Sequence, residues 1–145
     1  MDTQWPHFEV FEQDGPDQPH RHTGPAQAPE AETALQTARG VFARRPECTS
    51  LWVAPQNQVY VWTSAALQAD PSWRTETIVL ARLASPYEVF VKHGQDQSGA
   101  LLTHVGAVEA RSPTEALRLA FAQFNTNTVE AWWLVPARAI LRSAR

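Results

Sequence analysis

The amino-acid sequence contains one pattern twice, and this repetition constrains the fold more than any other feature. Residues 5–11 read WPHFEVF and residues 85–90 read SPYEVF, so each copy has proline, an aromatic residue, Glu, Val and Phe in that order. Each copy continues with a His-x-Gly step, an apolar run at helical spacing and a Trp-x-x-Pro step. Corresponding landmarks lie about eighty residues apart. We therefore predict a tandem repeat of one module of about sixty residues.

The size of the repeat indicates how the two copies are organised. A lone module of about sixty residues buries little surface, whereas 145 residues suit one compact domain or two small ones. We therefore expect the copies to pack as an intramolecular pseudo-dimer. The predicted boundaries are 1–62 for module 1, 63–84 for a linker, and 85–145 for module 2, which ends in a short basic tail at 137–145. A linker of this length is expected to wrap around a neighbouring protein or to cover a sheet edge.

Hydrophobic periodicity predicts the same order of elements in both modules. Residues 8–12 alternate between apolar and polar side chains, as in a half-buried strand. A second strand is expected at 20–28, and Thr-Gly-Pro at 23–25 predicts a bulge or a sheet edge. In module 2, Ser112–Glu115 is a capping box in front of an amphipathic helix. The predicted fold class is α+β, with two tandem ββαβ modules and antiparallel sheets.

Composition excludes several functional classes. The formal charge of −3 and the pI of about 5.9 provide no overall basic field for nucleic acid. Cys48 is the single cysteine, so no internal disulfide is expected, which fits a reducing cytoplasm. No apolar run reaches membrane-spanning length, and the first ten residues lack the features of a signal peptide. The sequence therefore predicts a soluble cytoplasmic protein without nucleic-acid or membrane partners.

Two histidines in module 1 are candidates for a chemical role. His20 and His22 lie on the same side of a predicted strand, a spacing that can hold a metal ion. No third ligand is nearby in sequence, and the second copy keeps only His104 at the equivalent of His22. A hydrogen-bonded structural histidine is therefore favoured over a metal ligand. The Glu-x-x-His pairs of carboxylate-bridged di-iron sites are absent from the sequence.

Cysteine and tryptophan provide two further candidates. Cys48 follows Arg44 and Arg45, whose charges could lower the pKa of its thiol, but its equivalent in the second copy is Val129. A structural cysteine is therefore favoured over a catalytic one. Three of the six tryptophans lie at element edges or in the linker, where they are candidates for anchoring a partner: Trp5, Trp62 and Trp73.

The N-terminal module resembles a known family. WPxFEVF at 5–11, HRHTG at 20–24, an alanine-rich helix ending in Arg44-Arg45, and Leu-Trp-Val at 51–53 are similar to the phenylacetate-degradation family PaaB. The second copy is similar more weakly, through PYEVF at 86–90, His-x-Gly and the later tryptophan. Since ordinary family members carry one module, the chain resembles a tandem version.

The resemblance implies a function without catalysis. PaaB is the small B component of the multicomponent ring-1,2-phenylacetyl-CoA epoxidase, in which another subunit holds the di-iron site and a reductase delivers electrons from NADPH. PaaB connects catalytic heterodimers in that complex. The resemblance thus implies a bridging subunit with no cofactor or metal of its own, whose partners are the catalytic di-iron oxygenase subunit and its structural companion. The expected contact residues are His20, Arg21, His22 and Gly24, supported by Trp5, Arg44 and Arg45.

A second hypothesis assigns the chain to another functional class. The chain could be a stand-alone small-molecule-binding domain or a cofactor-free enzyme. This hypothesis expects an apolar pocket between the two sheets, with His22 and His104 among a few converging polar groups.

Overall fold

The computed structural model describes residues 4–42, 47–94 and 102–143. Its helices and strands, in chain order, are β1 (His7–Asp14), β2 (Arg21–Gln27), α1 (Ala31–Phe42), β3 (Cys48–Pro55), β4 (Tyr60–Thr63), α2 (Ser64–Ala69), β5 (Ser85–His93), β6 (Thr103–Ala110), α3 (Pro113–Phe124), β7 (Val129–Pro136) and β8 (Leu141–Arg142). The chain forms two compact units, which are Met1–Val59 with Arg138–Arg145, and Tyr60–Ala137.

Unit 1 is a sheet of order β2-β1-β3-β8, with every pair antiparallel. Successive side chains of a strand point to opposite faces, so alternate residues of β1 and β3 face helix α1. Each fully buried Val or Leu there contributes roughly 1.5–3 kcal/mol. The core on this face consists of Phe8, Val10, Ala26, Ala28, Ala34, Leu35, Ala38, Cys48, Leu51 and Val53. Cys48 is thus a buried core residue, as the sequence favoured.

Unit 2 is built in the same way, with a sheet of order β6-β5-β7-β4 and antiparallel pairs. Helix α3 covers one face and begins with the expected capping box. The Ser112 hydroxyl accepts a hydrogen bond from the Glu115 amide at 3.0 Å, and the Glu115 carboxylate accepts from the Arg111 amide at 2.7 Å. The core of this unit includes Val89, Leu117 and Trp132.

The bulge expected at 23–25 is present in β2. Val10 pairs with Gly24, whereas the next residue, Phe11, pairs with His22, so Thr23 is the extra residue. Gly24 has a φ of 145°, in the region that favours glycine.

Unit 2 carries a second bulge at the equivalent position of β6. Val89 pairs with Gly106 and Phe90 with His104, which leaves Val105 as the extra residue. Gly106 has a φ of 157°, and a Cβ atom there would lie 2.7 Å from the ring of Phe124. The repeat is therefore preserved at the level of strand register.

The fourth strand of each sheet comes from the chain segment that follows the other repeat. The repeated landmarks span residues 5–55 (repeat 1) and 85–136 (repeat 2). Strand β4 follows repeat 1 but pairs with β7 of repeat 2, from Tyr60 opposite Leu134 to Thr63 opposite Ala131. Strand β8 follows repeat 2 but pairs with β3 of repeat 1. The two repeats thus exchange their last strands, which the sequence alone did not predict.

The expected basic tail at 137–145 is wrong over its described part, 137–143. Arg142 pairs with Trp52 in the sheet, and Ile140 and Ser143 are buried. The Ser143 hydroxyl accepts a hydrogen bond from the Leu51 amide at 3.1 Å. Strand β8 satisfies backbone groups at the edge of β3 that would otherwise lack partners.

The expected linker at 63–84 is partly folded onto unit 2. Helix α2 is followed by a 3-10 turn at Pro71–Arg74, in which the Asp70 carboxylate caps the amide of Ser72. Trp73 is 7% exposed, and its indole N–H donates to the carbonyl oxygen of Leu67 at 3.1 Å. The hypothesis that Trp73 anchors a partner is therefore wrong, because this side chain anchors the linker. Residues 77–84 have no helix or strand.

The α+β fold class and the order strand, strand, helix, strand in each repeat are confirmed. The boundaries 1–62, 63–84 and 85–145, and the packing of the modules as a pseudo-dimer, stay predictions.

Candidate functional site

The HRHTG sequence at 20–24 begins immediately before β2 and includes the bulge. Its three long side chains do not converge on one point. His20 bonds to Ser50, Arg21 to Asp14 and His22 to Glu9, so each is held by a different neighbour. This arrangement does not bring His20 and His22 together as a metal pair.

His22 contacts a buried carboxylate on the neighbouring strand β1. Its Nε2 atom lies 2.7 Å from Oε1 of Glu9. The other carboxylate oxygen of Glu9 accepts a hydrogen bond from the side-chain Nε2 of Gln56 at 3.0 Å. Glu9 is only 6% exposed. The hydrogen bond with His22 lowers the pKa of the Glu9 carboxyl, and burial opposes that shift. The ring of Phe11 packs 5.5 Å from that of His22.

Unit 2 repeats this contact at the equivalent residues. His104 Nε2 lies 2.7 Å from Oε1 of Glu88, and the rings of Phe90 and His104 are 5.2 Å apart. A hydrogen-bonded structural histidine, favoured from the sequence, is therefore observed in both repeats. Two Glu–His pairs at matching bulges are a feature of the fold.

His20 is buried against an aromatic ring. Its imidazole stacks on the indole of Trp52, with centroids 3.8 Å apart and planes 16° from parallel, and it bonds Ser50 Oγ at 2.9 Å. The guanidinium of Arg142 from β8 lies 4.7 Å from the Trp52 ring, a cation–π contact. His20 is only 6% exposed, so it can offer a partner little contact area, and its role is to pack against Trp52.

Arg21 is the more accessible member of the motif. It forms an ion pair with Asp14 of β1, and its side chain is 33% exposed. A partly exposed arginine has additional N–H groups in a planar fork, which suits a carboxylate on a partner. Gly24 leaves the backbone beside it open to close approach.

The remaining contact candidates differ in accessibility. Trp5, two residues before β1, is 55% exposed, as an interface anchor requires. Trp62 is partly buried against the core of unit 2. Arg44 and Arg45 lie outside the described residues. Partner binding by all of these residues stays a prediction.

Sequence reasoning missed two residues that pack beside the HRHTG motif and its neighbours in β3. Arg142 and Ser143 come from the segment expected to be a free tail, yet they contact Trp52 and Leu51. Ser143 also provides a carbonyl oxygen to the hydroxyl of Ser50 at 3.1 Å. The apolar pair Ile140-Leu141 was the available signal, because a solvated tail does not require such residues.

One group of possible metal ligands is found within the described ranges. Single ligand atoms of Glu12, Asp14 and Cys48 lie within 4.8 Å of one another. Asp14 already pairs with Arg21, and the Cys48 thiol lies 3.9 Å from the carbonyl oxygen of Ser50. Two of the three residues therefore already have partners within the protein.

Comparison with known proteins tests the family resemblance. The sequence model of the family PaaB, described as Phenylacetic acid degradation B, matches residues 4–72. The resemblance to PaaB is confirmed over this part of the chain. The B component of 1,2-phenylacetyl-CoA epoxidase from Escherichia coli (strain K12) is 36% identical over 55 residues, which are 38% of this chain and 58% of the length of that relative. No solved structure matches the chain.

The matched range contains most of the candidate contact residues and the residues that hold them. It contains Trp5, the HRHTG motif, Trp52 and Gln56, whereas Arg142 and Ser143 lie outside it. A separate finding concerns membranes: within the described ranges, no helix has the length and apolar character needed to span one.

Proposed function

We propose that this chain is a non-catalytic, bridging subunit of a multicomponent phenylacetyl-CoA epoxidase that acts in aerobic phenylacetate degradation in the cytoplasm. The observation that carries the proposal is the match of residues 4–72 to the PaaB family. It is supported by the Escherichia coli relative, which is the B component of 1,2-phenylacetyl-CoA epoxidase. The match includes all the described residues that we expect to contact a partner.

The contacts of the motif support a binding function over a catalytic one. His22 and His20 are occupied by Glu9 and by Ser50 with Trp52, and Arg21 is paired with Asp14. Such contacts fix the backbone of β1 and β2 and hold Arg21 in one orientation. A general base needs access to the proton that it removes, and the buried His20 lacks that access.

The exchanged strands support the bridging part of the proposal. Each sheet is completed by the segment after the other repeat, so each unit depends on the whole chain. If single-module members act in pairs, a tandem chain supplies both halves covalently and at high effective concentration. The two halves are then free to differ, and HRHTG occurs only in the first.

The proposed partners are the catalytic di-iron oxygenase subunit and its structural companion. We assign the direct contacts to Arg21, Gly24 and Trp5, which are at least partly exposed. His20 and His22 keep the strand register and the position of Arg21. Arg21 provides the charge that selects an acidic surface.

The test is reconstitution from purified subunits. The tagged chain is combined with the di-iron oxygenase subunit and its companion from the same organism, and complexes are resolved by size-exclusion chromatography with light scattering. We expect one complex that contains all three chains. We also expect epoxidation of phenylacetyl-CoA to fall when this chain is omitted. A chain that stays alone, or that turns over phenylacetyl-CoA by itself, would overturn the proposal.

A pair of variants separates contact from support. Arg21→Ala and Asp14→Ala both remove the same ion pair, but only the first removes the guanidinium. We expect Arg21→Ala to weaken binding about tenfold more than Asp14→Ala. Equal weakening would mean that the pair acts only through the fold.

A further inference from the structure

Residues 76–84, which we call the linker segment, expose an unusual amount of apolar surface. Val79 is 93% exposed, Leu83 is 79% exposed and Leu80 is 37% exposed. These three large apolar side chains lie within five consecutive residues. Single exposed apolar side chains are common on protein surfaces, whereas a cluster of them marks an interaction site.

Hydrogen bonds hold the linker segment at Glu76 and at Ala81. Arg118 of α3 donates to the carbonyl oxygens of Trp73 at 2.7 Å and Glu76 at 2.6 Å. Five residues further on, the Ala81 amide donates to the Arg111 carbonyl oxygen at 2.7 Å, and the Arg111 side chain donates to the Ala81 carbonyl oxygen at 2.9 Å. The exposed side chains are therefore presented from a tethered backbone, which reduces the entropy lost on binding.

The backbone between these two points has unused hydrogen-bonding groups. Within the described ranges, the amides and carbonyls of residues 77–80 form no hydrogen bond. A segment with free backbone groups can pair with an edge strand of another protein, and the complex then gains both main-chain hydrogen bonds and side-chain contacts.

Four arginines lie in the linker or in the part of unit 2 that holds it. Arg74 and Arg82 belong to the linker, and Arg111 and Arg118 belong to the elements that hold it. None of the four forms an ion pair with a described residue. Glu76 in the segment and Glu115 beside Arg111 offset part of this charge. The guanidinium of Arg74 also lies over the rings of Trp73 and Phe121. The strip therefore carries a small net positive charge, which complements carboxylates.

We propose that the linker segment docks by strand addition into an acidic-rimmed apolar groove on one of the other epoxidase subunits. The choice of this partner rests on the proposed function. Val79 and Leu83 fill the groove, the backbone of residues 77–80 pairs with its edge strand, and the four arginines contact carboxylates at its rim. The segment lies beyond the family match at 4–72, so it adds a second contact to the one expected at HRHTG.

The experiment measures binding of the full chain to the purified oxygenase subunit and its companion by isothermal titration calorimetry. The main variant is the double substitution Val79→Ser with Leu83→Ser. Controls are Val41→Ser on α1, which is 61% exposed in the wild type, and Leu119→Ser on α3, which is 42% exposed. We expect the double variant to bind at least about tenfold more weakly, and the controls to bind as the wild type does.

A second variant tests the backbone contact. Val79→Pro removes one N–H from residues 77–80, where no internal hydrogen bond is lost. We expect it to weaken binding more than Val79→Ser does. Circular dichroism and the melting temperature check that both variants stay folded.

The outcomes separate this proposal from the proposed function. If the wild type and the double variant bind the subunits equally, docking by the linker segment is overturned and the bridging function stands. If the wild type binds neither subunit, the proposed function fails, and the assigned partner fails with it. If the wild type instead self-associates in analytical ultracentrifugation and the double variant does not, the occupant is a second copy of this chain, which overturns our assignment.

Discussion

His22 and Glu9 form a 2.7 Å hydrogen bond across β1 and β2, and the bulge at Thr23 makes that contact possible. Directly opposed residues share one face of a sheet, so His22, opposite Phe11, lies on the face that carries Glu9. Without the extra residue, Thr23 would oppose Phe11, and His22 would move to the other face. The bulge therefore places a polar pair on the face opposite α1.

We predict that Glu9→Gln destabilises the protein by about 1–3 kcal/mol, because it replaces a buried charge-assisted hydrogen bond with a neutral one. The free energy of unfolding in urea is the measurement. The exposed Glu109→Gln is the control and should change stability by less than about 0.5 kcal/mol. Equal effects in the two variants would show that the Glu9–His22 contact contributes little.

The same pair predicts a pH dependence. The pKa of Glu9 is lowered from its ordinary value of 4.5, so folding favours its ionised form. The resulting stabilisation is fully present above the unfolded pKa and is lost as pH falls through the folded pKa. Between pH ~5 and ~3, the wild type should therefore lose more stability than Glu9→Gln. Parallel losses in the two proteins, measured by urea unfolding at each pH, would contradict this expectation.

Local features of the fold were predictable from the sequence. The bulge followed from Thr-Gly-Pro at 23–25, and the start of α3 followed from Ser112 and Glu115. Both depend on contacts between residues close in sequence. The bulge in unit 2 was not predicted, although Gly24 and Gly106 occupy equivalent positions in the two copies.

Long-range features could not be predicted in the same way. Strand β8 pairs with β3, and a short apolar segment gives no indication of which sheet edge it joins. The contact of Arg142 with Trp52 and the stacking of His20 on that ring depend on this choice of partner. The sequence therefore identified the HRHTG motif but not the burial of its first histidine.

The glycine of the second bulge provides another prediction. Gly106→Ala places a Cβ atom 2.7 Å from the Phe124 ring at a φ of 157°, and we expect it to cost about 1–3 kcal/mol. Gly40→Ala in α1 is the matched control, because a Cβ atom there meets nothing within 4 Å. The control should stabilise the protein by about 0.5–1 kcal/mol. Urea unfolding of both variants checks the opposite signs, and a neutral Gly106→Ala would contradict the close packing of the bulge.

The exchanged strand β8 leads to the last prediction. A chain that ends after Ala139 lacks the pairing of Leu141 and Arg142 with β3 and the hydrogen bond between Ser143 and Leu51. The edge of β3 is then left without its partner strand, so we expect faster amide hydrogen exchange at Leu51 and Val53. Exchange in β7 of unit 2 should change little, because β7 pairs with β4 and β5. The Arg138→Ala variant keeps β8 and is the control. Unchanged exchange in β3 of the shortened chain would show that β8 does not complete this sheet in solution.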